Sequence, residues 1–289
     1  MKLNKTKIDY IIRKMNKGIS GYSIAEDLRL SPERVYQIYR EYLETGEIPV
    51  LKPQGRPRKN LTETEINLII TSFTKYNLSA SLLSKIIYKE HLVKINHNKI
   101  HVILLENNMA KKEPKKSRKR KPWIRYERKH SLTAIHMDWM YDEQRGKQII
   151  AVIDDASRMI LSYGEFDQAT VENTILILKK ALKYGKIKQV ITDRGTQFTS
   201  NKLDKKGEHK SKFKEFCDSK GIKQILCRVK HPQSNGKIER WFGLYRQKRN
   251  MYGSLQDFVY WYNHIKPHLS LNFEELETPV QAFRRKFRD

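Results

Sequence analysis

The spacing of apolar residues changes once along this chain, and that change limits the fold more than any other feature. Up to about residue 109 the apolar positions recur at helical intervals. From Ser131 onward they come in short runs separated by turns, with helical stretches between them. A helical front and an alternating strand-and-helix rear exclude a pure bundle and a pure β-sandwich. In the rear, Leu132–Met140, Lys147–Asp154 and Arg158–Gly164 read as three antiparallel strands. A helix over 170–183, a strand over 188–193, a helix over 213–220, a strand over 222–227 and a longer helix over 234–251 follow. The order βββαβαβα predicts a mixed five-stranded sheet flanked by helices.

Two breaks divide the chain. Residues 49–60 hold three prolines and a Gly-Arg-Pro-Arg run, and residues 111–124 are almost wholly cationic between Pro114 and Pro122. Self-repulsion and proline disfavour a folded element in either. The expected organisation is a helical unit over 1–48, a linker over 49–60, a second helical unit over 61–110, a linker over 111–124 and a catalytic domain over 125–289.

Lys and Arg number 58 against 32 Asp and Glu, for a net charge of +26. That imbalance points to a polyanionic partner, double-stranded DNA first, and away from an acidic scaffold. No apolar run reaches membrane-spanning length and no apolar signal region follows the N-terminus, so the expected location is cytoplasmic, at the nucleoid, with no membrane partner. The two cysteines, Cys217 and Cys227, form no CxxC pair, which excludes a cysteine-rich zinc finger.

In residues 1–48, Ile8, Ile11, Ile12 and Met15 mark one helix face, Ser23–Leu28 a short second helix, and Ser31-Pro32 the capped start of a third. Arg34, Gln37 and Arg40 face outward on that third helix. A short helix, a tight turn and a capped helix with an Arg and Gln face form a helix-turn-helix pattern, whose second helix fits the major groove. Residues 61–110 repeat the theme, opening on a Thr62/Glu65 capping box. Between the two units, Arg56 and Arg58 in an extended Gly-Arg-Pro-Arg segment suit an A·T-rich minor groove. His91, His97 and His101 lack a neighbouring carboxylate or Cys cluster and read as surface residues or DNA contacts rather than metal ligands.

Three acids stand out in the rear. Asp138 interrupts an apolar strand, Asp193 ends another before a glycine loop, and Glu239 lies on the first turns of a helix entered through His231-Pro232-Gln233-Ser234-Asn235-Gly236-Lys237. Three carboxylates brought together repel unless cations neutralise them, and hard oxygen ligands suit Mg²⁺ or Mn²⁺. Two such ions would activate a water or sugar hydroxyl and stabilise the leaving oxygen of a phosphodiester. His231, Gln233, Asn235, Lys237 and Arg240 are candidate DNA contacts beside that site.

Four blocks carry a resemblance to the Asp-Asp-Glu transposases and retroviral-type integrases. They are Ile135-His136-Met137-Asp138, Val152–Arg158, Ile191-Thr192-Asp193-Arg194-Gly195-Thr196-Gln197-Phe198, and His231–Glu239. Together with the helical units in front, the chain resembles an insertion-sequence transposase. The resemblance implies an RNase H-like fold and Asp138, Asp193 and Glu239 as catalytic and metal-binding residues. Asp154 and Asp155 fall outside that triad and read as ending a strand and supporting Ser157 and Arg158. The interval from Asp193 to Glu239 is longer than the retroviral-type pattern, and the excess is assigned to a polar loop over 201–210. Glu215 gives a shorter interval but sits in an apolar-periodic helix and lacks the family block.

The expected activity is therefore a Mg²⁺-dependent polynucleotidyl transferase that binds element ends, cuts phosphodiesters with water and joins the freed 3′-hydroxyl to target DNA. Two ends held together imply a homodimer or higher multimer on DNA. The rivals are a sequence-specific regulator with a relic catalytic domain and an RNase H-like nuclease.

Overall fold

A computed structural model describes residues 3–51, 60–111, 127–200, 211–227 and 235–288. Both linker centres, with Arg56 and Arg58, lie outside the described residues, as do the 201–210 segment, His231 and Gln233. The chain forms two compact units, Met1–Asn60 and Leu61–Asp289.

The first unit is three helices: α1 (Lys5–Met15), α2 (Gly21–Leu28) and α3 (Pro32–Thr45). Ile8, Ile11 and Ile12 pack on Ile24, Ala25, Val35 and Ile38, the residues that helical spacing singles out. Ser31 caps α3 by accepting from the Arg34 amide, Pro32 occupies the first turn, and Gly46 ends the helix in the left-handed region at φ 71°. Arg34, Gln37 and Arg40 are exposed on the face opposite Val35 and Ile38.

The second unit opens with α4 (Glu63–Tyr76), α5 (Ala80–His91) and α6 (His97–Glu106). The Thr62/Glu65 capping box starts α4 as expected. A five-stranded sheet follows in the order β3-β2-β1-β4-β5. Its strands are β1 (Ile135–Asp142), β2 (Lys147–Asp154), β3 (Ile160–Phe166), β4 (Gln189–Thr192) and β5 (Lys223–Leu226). β1, β2 and β3 form an antiparallel meander. β4 runs parallel to β1, and β5 parallel to β4. This is the mixed, helix-flanked arrangement that the order of elements predicts. The first strand begins three residues later than its apolar run because Leu132 takes a left-handed conformation and its amide donates to Asp154 Oδ1 at 2.8 Å.

The period of two along β2 assigns its side chains to opposite faces. Ile150 and Val152 pack with α7 (Val171–Ala181) and α8 (Lys212–Ser219). Ile149, Ala151 and Ile153 pack with α9 (Gly236–Lys248) and α10 (Leu255–Tyr260), whose chain continues as a π turn over Trp261–Ile265. A final helix, α11, spans Pro279–Lys286.

The α9 side of the sheet also takes in the second helical unit. Ile69, Leu83, Ile87, Ile100 and Leu104 belong to the same apolar cluster as Trp241, Phe258 and Trp261. Polar bonds reinforce the joint: the Trp261 indole donates to Tyr76 O at 2.8 Å, and Lys248 Nζ donates to Asn77 O at 3.0 Å. Residues 61–110 thus share a core with the sheet rather than closing one of their own.

Trp241 is the largest fully buried side chain in that cluster. It is 1% exposed and packs edge-on or tilted against Phe242, Tyr245, Phe258 and Tyr262. Trp241→Ala is expected to cost about 3–5 kcal/mol, measured by urea unfolding, and a loss below about 1 kcal/mol would contradict this packing.

Candidate active site

Parallel register brings the two aspartates side by side. His136 on β1 is the partner of Ile191 on β4, so Asp138 and Asp193 each lie two residues further along adjacent strands. The period of two puts Asp138 on the same face as His136 and Met140, the face covered by α9. Glu239, exposed on the first turn of α9, approaches the same end of the sheet.

Both oxygens of Asp138 are engaged. Oδ1 accepts from the Trp139 amide at 2.8 Å, and Oδ2 accepts from Asn235 Nδ2 at 2.8 Å. Asp193 Oδ1 accepts from the Gly195 amide at 2.9 Å, which fixes the turn after β4. Burial and then the charge of Asp193 push the Asp138 carboxyl up to about 7, with Glu239 adding to the rise and the Trp139 amide opposing it. The half-buried Cys227 thiol, at the end of β5, reports the same field: burial, then Asp138, Asp193 and Glu239, raise it to about 11.

The three acids are therefore close enough to act on one another electrostatically. They do not form a finished coordination shell, and among the described residues no group of three or more His, Cys, Asp or Glu is disposed to hold a metal ion. In donor chemistry they fit a hard divalent cation, since accumulated negative charge at a half-buried carboxylate is what such an ion relieves. Glu215, the rival for the third position, lies on the first turn of α8.

A second polar group adjoins the first. Asp154 and Asp155 close β2, and their carboxylates do different work. Asp154 accepts from the Ser157 amide at 2.8 Å and the Ser157 hydroxyl at 2.6 Å, holding the β2–β3 turn as expected. Asp155 does not support Arg158. Its Oδ1 lies 2.7 Å from His136 Nε2 and accepts from Lys237 Nζ, while Oδ2 accepts from the Arg128 amide at 2.6 Å. Burial alone would raise the Asp155 carboxyl, but the bonds from His136 and Lys237 hold it well below the usual carboxylate range. Arg158 pairs instead with Glu127 at 3.0 Å, and Glu127 also meets Lys286 at 2.6 Å. Sequence reading missed the Asp155 grouping. The available signal was His136, two residues before Asp138 and on the same strand face.

Of the candidate DNA contacts beside the site, Asn235 and Lys237 are turned inward onto Asp138 and Asp155, and Arg240 stands at an exposed position on α9.

Residues 128–232 match the family described as integrase core domain. The matched stretch takes in all five strands of the sheet. In sequence it is 32% identical over 140 residues to "Putative integrase ORF3" of Spiroplasma virus SpV1-C74, a match covering 42% of this chain and 38% of that protein. The chain thus spans under half the length of that curated relative. Among solved structures, it is similar to the simian T-cell lymphotropic virus intasome bound to the PP2A regulatory subunit B56 gamma, at 17% identity, 74% coverage of each chain and a TM-score of 0.45. It is also similar to the HTLV-2 integrase catalytic core domain in complex with magnesium, at 19% identity, 53% coverage of this chain, 96% of that chain and a TM-score of 0.41.

The raised Asp138 carboxyl has a consequence for the metal-free protein. Its folded value of about 7 exceeds the ordinary 3.8, so the unfolded chain gives up this proton first and stability falls as pH climbs from about 4 through 7. Asp138→Asn should remove that dependence. In EDTA the variant is expected to match the parent near pH 4 and to exceed it at pH 8 by on the order of 4 kcal/mol. Parallel stability–pH curves for the two proteins would show that the Asp138 carboxyl is not raised in the folded protein.

Proposed function

We propose that this integrase-core protein is a DNA transposase that binds the ends of its element, cleaves them and joins their 3′-hydroxyls to target DNA. The observation that supports the reading is Asp138 and Asp193 side by side along adjacent parallel strands, with Glu239 on the first turn of α9. The Asp138 carboxyl is pushed up to about 7 by burial first and by the other two acids after it. In this reading those three side chains are the catalytic and metal-holding set. Mg²⁺ or Mn²⁺, two ions in all, would supply Lewis-acid stabilisation of the leaving oxygen and a nucleophile of lowered pKa. Asn235 orients the Asp138 carboxylate through Oδ2, leaving Glu239 as the member presented to solvent and to incoming DNA.

Recognition of the ends belongs to the basic front of the chain. Arg34, Gln37 and Arg40 on the exposed face of α3 would enter a major groove, with Arg56 and Arg58 in the adjoining minor groove. The second helical unit, 61–110, would add a further helix-turn-helix contact. His231, Gln233 and Arg240 would lie along the DNA next to the scissile bond, where contacts to phosphate position without reading sequence. A homodimer or larger multimer would hold two ends together. No helix among the described residues is long and apolar enough to cross a membrane.

Asp193→Asn is expected to lower Mg²⁺-dependent strand transfer by about 100-fold or more, while affinity for end DNA measured by fluorescence anisotropy stays within about twofold. Undiminished joining would remove Asp193 from the chemistry. The affinity itself should fall with salt, log K against log[salt] having a slope of about −0.9 for each phosphate neutralised. A slope near zero would contradict recognition through the basic front.

A further inference from the structure

The first turn of α9 is not held by its own cap. Asn235 occupies the cap position, yet its side chain makes no capping bond and reaches to Asp138 instead. The other anchor is Lys237, whose Nζ donates to the Asp155 carboxylate and lies 3.4 Å from the Asp155 carbonyl. Asp155 is 5% exposed, and its amide donates to Ala134 O at 3.0 Å, so its backbone is fixed at the junction of β1 and β2. The same Oδ1 that receives Lys237 faces His136 Nε2 at 2.7 Å. His136 precedes Asp138 by two residues on β1, and Lys237 precedes Glu239 by two residues on α9. One buried carboxylate thus bridges the strand bearing one acid to the helix bearing another.

We propose that Asp155 is a positioning residue of the active site, setting the placement of Glu239 relative to Asp138 by clamping Lys237 and His136. Lys237 is in this account a structural tether and not a phosphate contact. The alternative, Lys237 as a DNA ligand, requires an Nζ free to reach solvent, and this one is directed inward onto a carboxylate. A buried ion pair of this kind adds little net stability, because desolvation offsets the attraction, but it fixes geometry. The chemistry that depends on the geometry is that of the proposed function, on which this inference rests. Its mechanical part, the clamp on α9, does not.

The test uses the full chain with Asp155→Asn, Lys237→Met and the double substitution. In hydrogen exchange read by mass spectrometry, peptides from the first turns of α9 should exchange about tenfold faster in each single variant, with α7 peptides unchanged. Mn²⁺ affinity, read from the free-ion electron paramagnetic resonance signal, should weaken about tenfold in each single variant and no further in the double. The salt dependence of DNA binding should match the parent in all three.

Unchanged α9 exchange in both single variants would overturn the proposal. So would independent, additive losses of Mn²⁺ affinity, or a shallower salt slope in Lys237→Met alone, which would make Lys237 a phosphate ligand. Should Asp155→Asn fail to fold, Lys237→Met carries the same exchange and metal readouts with the other half of the pair removed. A parent protein that binds no Mn²⁺ and joins no ends would sink the proposed function, and the exchange measurement would still decide the clamp.

Discussion

The structure of the second unit turns on β1 being covered on both faces. It lies third of five strands, antiparallel to β2 and parallel to β4, so all its side chains but the exposed Tyr141 meet a packed layer. Ile135 and Met137 meet the apolar layer of α7 and α8. The opposite face carries His136 and Asp138, two polar groups that cannot be buried without partners. Asp138 takes Asn235 from the chain that follows the sheet, and His136 takes Asp155 at the end of β2, whose carboxylate also receives Lys237 from α9. Covering β1 therefore docks the start of α9, and docking α9 delivers Glu239.

This coupling explains why the site is electrically tense and mechanically well held. Burial, then the charges of Asp193 and Glu239, raise the Asp138 carboxyl, while the adjacent Asp155, Lys237 and His136 group neutralises its own charges. One grouping keeps an excess of negative charge for a cation to relieve, and the other spends its charges on placement. Cys227 lies within the field of the first group, and its thiol stays protonated through the physiological range because burial and three carboxylates oppose the thiolate.

The second helical unit has a different relation to the sheet than its sequence suggests. Its apolar spacing looks self-sufficient, yet Ile69, Leu83, Ile87 and Leu104 extend a cluster that includes Trp241, Phe258 and Trp261. Bonds through Tyr76 and Asn77, at the end of α4, tie it to Trp261 and Lys248. No periodicity within 61–110 could disclose this, because amphipathic helices show which face is buried and not what buries it.

Local rules were enough to find the elements and the acids. The caps at Ser31 and Thr62, the strand-forming runs, and carboxylates placed where an apolar strand should continue are all consequences of neighbours within a few residues, so the sequence alone determined them. What it could not determine was pairing across distance. That Asp138 lies beside Asp193 follows from parallel register between residues 55 apart in sequence, and that Asp155 serves Lys237 and His136 rather than Arg158 follows from where α9 lands. Charge partners are chosen by the desolvated geometry of the packed state, in which the nearest group in space, not in sequence, satisfies a buried carboxylate.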